Sequence, residues 1–136
     1  MEFLALADIV EMKHEELPKV VDLMSLPHSY DESSAYRLLD KFGLKVVCVT
    51  RGAKGSMLVD AANRATEHPG YPALVADTIG AGDAFTVMIV HRYLRGATPE
   101  EITDSANRVG AWVASRVGAT PYPNKGSLIQ AAQKWI

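Results

Sequence analysis

The residues whose types and spacing best suit chemistry form a glycine-rich turn, Gly80-Ala81-Gly82, with an acid, Asp83, directly after it. Glycines at the start of a helix let the backbone approach a ligand, and the free amides and positive dipole end of the first turn favour an anion. A carboxylate would repel a phosphate that is merely held there. It suits a phosphoryl group that reacts, because Asp83 can accept the proton of the attacking hydroxyl. The alternative is that Asp83 only complements the helix dipole.

Two familiar ligand-binding motifs are excluded by their spacing. A P-loop requires Gly-x4-Gly-Lys followed by serine or threonine, and neither glycine cluster, at 52–55 or at 80–82, supplies it. A dinucleotide fingerprint requires a third glycine three residues after Gly82, where the chain has Phe85. A Rossmann-type dehydrogenase domain is therefore disfavoured.

Helices are predicted on both sides of these motifs. Residues 84–94 are apolar on nearly every side, so they predict a central, buried helix. The run Thr98-Pro-Glu-Glu101 matches a capping box with proline at the first helical position, and an apolar stripe follows from Ile102 to Val117. Upstream, apolar spacing predicts one helix over 14–24 and another from a capping box at 29–32 to residue 42.

Short apolar runs predict the strands that position the helices. The run 45–50 is almost entirely β-branched, as expected of a strand buried on both faces, and a strand resumes at 56–60 after the break at 51–55. Further extended stretches are predicted at 8–12, 64–68 and 73–76. The alternation of helix and strand predicts an α/β fold with a largely parallel sheet.

Composition bounds the class of protein. The chain has 136 residues, 48% hydrophobic and 22% charged, with a formal net charge of −2, which suits one soluble domain and not a disordered chain. It contains no run of about eighteen apolar residues, no basic leader and no basic cluster, so we expect no membrane span, no signal peptide and no nucleic-acid partner. The single cysteine, Cys48, predicts a buried thiol in a cytoplasmic protein.

Three segments resemble the ribokinase-like (PfkB) carbohydrate kinases. The run 76–85, ADTIGAGDAF, resembles the family's C-terminal signature, Asp-Thr-x-Gly-Ala-Gly-Asp-x-Phe. The run 49–55, VTRGAKG, is similar to the family's turn at the nucleotide site, and Ala106-Asn107 matches more weakly the helix that flanks the adenine. The resemblance extends essentially from residue 6 to residue 118.

The resemblance implies ATP-dependent phosphoryl transfer to a sugar hydroxyl. Asp83 would be the general base, and the amides of Gly80, Ala81 and Gly82 would form the anion hole for the transferred phosphoryl group. The residues expected to border the ATP phosphates and the adenine are Thr50, Gly52, Gly55 and Asn107.

The resemblance also implies Mg²⁺ and a monovalent cation such as K⁺. Asp77 stands where the family places a carboxylate near the monovalent cation, although a turn-forming role is the alternative. Glu16 matches the glutamate that the family links to Mg²⁺ and phosphate through water. Lys13 replaces the asparagine usual in that element, either as a phosphate contact or as the mark of a degraded site.

The resemblance implies a three-layer α/β/α ribokinase-like fold of which residues 1–136 form the C-terminal part, a single partial domain. The sugar-binding and lid half of the family has no counterpart in this sequence, so the sugar is not identified and the chain alone is expected to show little or no turnover. The partner would be a small sugar substrate, with a homo-oligomer also open. The alternatives are an inactive nucleotide-binding module and a truncated remnant.

Overall fold

The structure, a computed structural model, describes residues 2–27 and 31–122, which belong to two compact units, Met1–Pro69 and Gly70–Ile136. The first residues of the capping box predicted at 29–32 lie outside the described residues. Within the described part of the chain, no helix is both long enough and apolar enough to span a bilayer.

The first unit is a four-stranded sheet with helices. In chain order its elements are α1 (Glu2–Leu6), β1 (Ile9–Lys13), α2 (Leu17–Leu23), α3 (Asp31–Phe42), β2 (Val46–Thr50), a 3₁₀ turn (Gly52–Lys54), β3 (Ser56–Asp60) and β4 (Ala65–His68). The strands lie in the order β1-β2-β3-β4. The helix predicted over 14–24 begins later, at Leu17, because the residues after β1 form a tight turn.

The sheet confirms the α/β class and corrects the strand directions. β1 and β2 pair in parallel, as expected of strands joined by a helical crossover. β2 with β3, and β3 with β4, pair antiparallel, because the turns after Thr50 and after Asp60 reverse the chain directly. The prediction of a largely parallel sheet is therefore wrong for the described residues.

The core of the first unit lies between the sheet and helices α2 and α3. Every second residue of a strand lies on the same face of the sheet. The strand residues on the face toward α2 and α3 pack against apolar side chains of those two helices. The members of this core include Leu17, Val21, Leu38, Leu39, Val47, Val49, Met57 and Val59. Residues 46–49 and 56–59 are all buried, which confirms the prediction of a strand buried on both faces.

Cys48 lies in the middle of β2 and has no exposed surface, as predicted. Burial raises the pKa of the Cys48 thiol, and the negative charge of Glu11 on the neighbouring strand raises it further. The thiol is therefore a small apolar side chain at neutral pH and not a nucleophile.

The turn between β3 and β4 is held by one carboxylate. Asp60 Oδ1 accepts the amides of Ala62 and Arg64 at 2.9 and 3.1 Å, and Oδ2 accepts Nε and Nη2 of Arg64 at 3.0 and 2.7 Å. Burial alone would raise the pKa of Asp60, but these hydrogen bonds and the charge of Arg64 outweigh it and hold the pKa below its usual value.

We expect Asp60→Asn to destabilise the chain at neutral pH by about 1 kcal/mol, because the charge-assisted bonds are lost. The pKa of Asp60 is lower in the folded chain than its unfolded value of about 3.9, so the carboxylate stabilises the fold above that pH. This contribution disappears as the pH falls through the folded-state pKa. Urea denaturation of the wild-type chain and of Asp60→Asn between pH 7 and pH 2 should show a difference in the free energy of unfolding that disappears in acid.

Glu67→Gln is the control. It removes an exposed ion pair with Arg51 in the same hairpin and should change the free energy of unfolding by less than about 0.5 kcal/mol. If Asp60→Asn were still less stable than the wild type at pH 2, the stabilising role of the Asp60 carboxylate would be contradicted.

In residues 70–122, the described part of the second unit, helices α4 (Ala81–Leu94) and α5 (Pro99–Ala114) pack against each other. The predicted capping box is confirmed, since the Glu101 amide donates to Thr98 Oγ1 at 3.3 Å and the Thr98 amide to Glu101 Oε2 at 2.9 Å. α5 ends at Ala114, so the apolar stripe does not continue to Val117, which is exposed.

No strand forms at 73–76, contrary to prediction. The amides of Ala76 and Asp77 donate instead to the carbonyl of Ala114, at 2.9 and 3.2 Å. This segment is therefore held by the end of α5 and not by a sheet.

α4 is less buried than its composition predicts. Phe85 and Ile89 are buried, but Val87 and Leu94 are 67% and 76% exposed. A helix with apolar residues on all sides is expected to be buried on all sides. In this structure, an apolar stripe of α4 that includes Val87 and Leu94 faces solvent instead. The prediction of a central, buried helix is wrong for that stripe.

Candidate functional site

The glycine motif of the second unit lies at the start of α4. Gly80 is the N-cap residue, and its φ of 81° places it in the left-handed region that favours glycine. α4 was predicted to begin at residue 84 but begins at Ala81, so Ala81, Gly82 and Asp83 form its first turn. Gly80 has no side chain to cap the helix, and the first amides of a helix have no acceptor within it. The Ala81 amide lies 3.3 Å from the Thr78 carbonyl, a long hydrogen bond.

The loop before α4 is braced by the chain that follows α5. Asp77 Oδ1 accepts the amide of Ile79 at 2.9 Å, and Oδ2 accepts the amide of Gly118 at 3.2 Å. A Cβ on Gly80 would lie only 2.3 Å from the carbonyl oxygen of Ala119. The backbone of 118–119 therefore touches the glycine turn where only glycine fits.

Asp83 is exposed in the same helical turn as these amides. The first turn of α4 thus presents hydrogen-bond donors and a carboxylate to solvent together. This arrangement can hold an anion and accept a proton from a group beside it, and it also fits the alternative in which Asp83 complements the helix dipole.

Asn107 lies on α5, where its side chain is 7% exposed and donates from Nδ2 to the Thr103 carbonyl at 2.8 Å. One turn later, a Cβ on Gly110 would lie 3.5 Å from the carbonyl oxygen of Ala81, so the helices approach closely at the start of α4. The role of Asn107 beside an adenine stays a prediction.

A cluster beside Asn107 escaped the sequence analysis. The Arg108 guanidinium lies 4.5 Å from the ring centroid of Tyr71, and its Nη2 donates to Tyr71 Oη at 2.5 Å and to Asp104 Oδ1 at 3.2 Å. The Tyr71 hydroxyl donates to Asp104. Burial, followed by the bond to Asp104 and its charge, raises the pKa of Tyr71. The spacing of Asp104 and Arg108 indicates an ion pair on a helix, but no local signal points to Tyr71.

The candidate nucleotide turn of the first unit joins β2 to β3. Thr50 ends β2, and the turn closes through the Arg51 amide, which donates to the Gly55 carbonyl at 2.8 Å. Gly52 and Gly55 have φ values of 58° and 83°, and no described residue lies within 4 Å of a Cβ placed on Gly52. The described residues therefore leave room for a ligand beside Gly52.

Lys13 and Glu16 lie at the same end of the parallel strands as Thr50. Lys13 is the ladder partner of Thr50, and the His14 amide donates to the Thr50 carbonyl at 2.8 Å. Glu16 Oε2 accepts the Lys13 amide at 2.8 Å. Ligands of open α/β sheets bind outside the carboxyl ends of parallel strands, which is where these residues lie.

The candidate residues therefore form one group in each unit. Glu16, Thr50, Gly52 and Gly55 share the carboxyl end of β1 and β2 in the first unit. In the second unit, Asp77, Asn107 and the turn 80–83 lie on or beside α4 and α5.

Comparisons with known proteins identify the family. A sequence model of the pfkB family carbohydrate kinases matches residues 1–125. The chain is 32% identical over 99 residues to the cytidine kinase of Thermococcus kodakarensis, across 71% of this chain and 35% of that kinase. The ribokinase structure from Thermotoga maritima superposes with a TM-score of 0.80 at 25% identity, over 97% of this chain and 44% of that one. Arabidopsis thaliana ribokinase complexed with ribose and ATP gives 0.77 at 27% identity, over 96% and 42%.

The chain belongs to the pfkB family of carbohydrate kinases. Its fold is ribokinase-like, as the resemblance of the sequence implied. It spans about a third of the length of the cytidine kinase and less than half of either ribokinase chain.

Proposed function

We propose that this chain is the nucleotide-binding and base-bearing part of a kinase that transfers the γ-phosphoryl group of ATP to a sugar hydroxyl. The observation that carries the proposal is the first turn of α4, where uncapped amides and the exposed carboxylate of Asp83 occur together. Acceptor activation and charge stabilisation are the two functions that phosphoryl transfer requires of a protein.

In the proposed reaction, Asp83 accepts the proton of the acceptor hydroxyl as its oxygen attacks the γ-phosphorus. The bond from that phosphorus to the bridging oxygen of ADP breaks. Amides of the 80–82 turn donate to the phosphoryl oxygens as charge shifts in the transition state. The Ala81 amide would exchange its long bond to Thr78 for one of these oxygens. The brace from Gly118 and Ala119 holds the turn in place before the substrate arrives.

The expected cations require few ligands from the protein. Mg²⁺ bound with a nucleotide is commonly held by phosphates, water and one or two carboxylates. We assign Glu16 as a carboxylate of this Mg²⁺ environment. Mg²⁺ would neutralise charge on the β- and γ-phosphates. Asp77, whose oxygens each accept one amide and keep further lone pairs, is assigned to a monovalent cation.

The acceptor we propose is an alcohol that carries a pentose. Ribose and cytidine, the compounds named for the relatives above, share that sugar. The proposal for this chain is limited to the class, since the residues assigned here handle the phosphates and the proton.

A nucleotide-binding module without catalysis is the second candidate. Lys13 favours it, because an exposed lysine stands where the family usually has an asparagine in its Mg²⁺-linked element. A lysine ammonium contacts phosphate as a point charge but cannot accept a hydrogen bond from metal-bound water.

Calorimetric titration of the chain with ATP and Mg²⁺ tests both candidates. We expect saturable binding that requires the nucleotide, and an absence of binding at millimolar ATP would contradict both. A coupled assay of ADP release from a longer protein that contains this chain, with ribose, cytidine and other pentose alcohols, then separates the kinase from the binding module. Release that depends on the acceptor supports the kinase, whereas binding with no release from any acceptor favours the module.

A further inference from the structure

The hydroxyl of Thr50, at the end of β2, donates its hydrogen bond within the protein. Thr50 Oγ1 donates to Glu11 Oε1 at 2.9 Å and lies 3.3 Å from the carbonyl oxygen of Met12. A hydroxyl has one hydrogen, and both of these neighbours are acceptors. The bond to Glu11 is the shorter of the two and is charge-assisted, so the hydrogen of Thr50 is directed toward Glu11.

The strand register places Glu11 beside this hydroxyl. Glu11 is the ladder partner of Cys48, and Lys13 is the partner of Thr50 two residues later. Alternate residues of a strand share a face, so Glu11, Cys48 and Thr50 lie on one side of the parallel pair. Glu11 is half-buried there, and its charge contributes to the raised pKa of the Cys48 thiol. The carboxylate is thus held at a fixed position by β1.

An ionised carboxylate accepts hydrogen bonds and donates none. Glu11 therefore makes the Thr50 hydroxyl a donor toward the protein and leaves the lone pairs of Oγ1 for a ligand. A phosphate oxygen also accepts only, and it would meet both those lone pairs and the negative charge of Glu11. A ribose hydroxyl or a base amino group can donate to Oγ1 without either conflict.

We infer that Glu11 is a positioning residue of the nucleotide site, which orients the Thr50 hydroxyl so that Thr50 receives a hydrogen-bond donor of the nucleoside and not a phosphate. This inference rests on the proposed function and deepens it, because the turn 50–55 was expected to border both the phosphates and the adenine. It assigns the Thr50 end of that turn to the nucleoside.

Titration of the 136-residue chain with adenosine and with ATP and Mg²⁺ tests the inference. Thr50→Val and Glu11→Gln are each expected to weaken both ligands by the same factor, about three- to tenfold, as for loss of one hydrogen bond. The double variant should bind no more weakly than Thr50→Val, because Glu11 acts through Thr50. Thr50→Ser keeps the hydroxyl and should retain wild-type affinity.

Glu15→Gln is the matched control for charge, since Glu15 is an exposed acid in the turn after β1. It should leave both affinities unchanged. Thermal denaturation of every variant verifies that it is folded. In the ligand-free chain, the Thr50 hydroxyl proton should exchange slowly enough to be observed by NMR, and Glu11→Gln should accelerate its exchange.

Three results would overturn the inference while leaving the proposed function intact. The first is Thr50→Val weakening ATP but not adenosine, which would assign the hydroxyl to a phosphate. The second is that Glu11→Gln changes neither affinity. The third is that Glu11→Gln raises the affinity for ATP alone, which would mean that Glu11 acts only by repelling the phosphates. Failure of the wild-type chain to bind either ligand would overturn the proposed function and this inference together.

Discussion

Replacing Asp83 by asparagine is expected to lower phosphoryl transfer by about 10²- to 10⁴-fold in a longer protein that contains this chain. Asparagine is nearly the same size as aspartate and keeps an oxygen at the same position, but it does not take the proton of the acceptor hydroxyl. ATP affinity should change little, because the amides of the α4 first turn remain. ADP release with an accepted pentose alcohol measures the first effect, and calorimetry the second.

Glu100→Gln provides the matched control for the alternative in which Asp83 only complements the helix dipole. Glu100 is an exposed acid in the first turn of α5, as Asp83 is in α4. If the dipole were the whole role of Asp83, both variants would lose a few tenths of a kcal/mol of stability and neither would lose turnover. Normal turnover in Asp83→Asn would remove the assignment of the general base.

Gly80→Ala is expected to destabilise the second unit by about 2–5 kcal/mol. Alanine at a φ of 81° is strained, and its Cβ would lie 2.3 Å from the carbonyl oxygen of Ala119. The clash is with backbone, so rotation of a side chain cannot relieve it. Trp112 lies on α5 in this unit, and its fluorescence during urea denaturation reports the unfolding of the unit. ATP binding should weaken at the same time, because the turn must move.

Gly82→Ala is the control for the loss of a glycine from the same motif. Gly82 lies inside α4 and has no positive φ, and a Cβ there would meet nothing within 4 Å in the described part of the chain. Alanine in a helix is favoured over glycine by about 0.5–1 kcal/mol, so stability should be unchanged or higher. Equal stabilities of the two variants would show that Ala119 does not restrict Gly80.

Local patterns predicted most of the elements. The β-branched run at 45–50, the hairpin partner at 56–60 and the capping box at Thr98 need only neighbouring residues, and all three are present. The glycine motif also indicated the family, since its spacing is unusual and lies within ten residues. These features could be read from the sequence because their causes lie within one or two turns of chain.

The features that could not be predicted depend on distant residues. The segment 73–76 has strand-like composition, but the amide of Ala76 at its end bonds to the carbonyl of Ala114 on α5, about forty residues later. Arg108 lies against Tyr71, which precedes it by 37 residues, and no pattern near either residue indicates this contact. Glu11 had no signal in the sequence, because its contact with Thr50 depends on the register of two strands 39 residues apart.

The brace on the glycine turn has a consequence for how the protein is made. Asp77 reaches Gly118 across 41 residues, so a ribosome finishes the whole signature motif well before it synthesises the segment that supports it. Until residues 114–119 have been synthesised, the growing chain carries the complete motif without the contacts that hold the glycine turn, because domains assemble as units during synthesis. A polypeptide truncated between the end of α4 and Gly118 would likewise match the family by sequence and lack the contacts that give the motif its geometry.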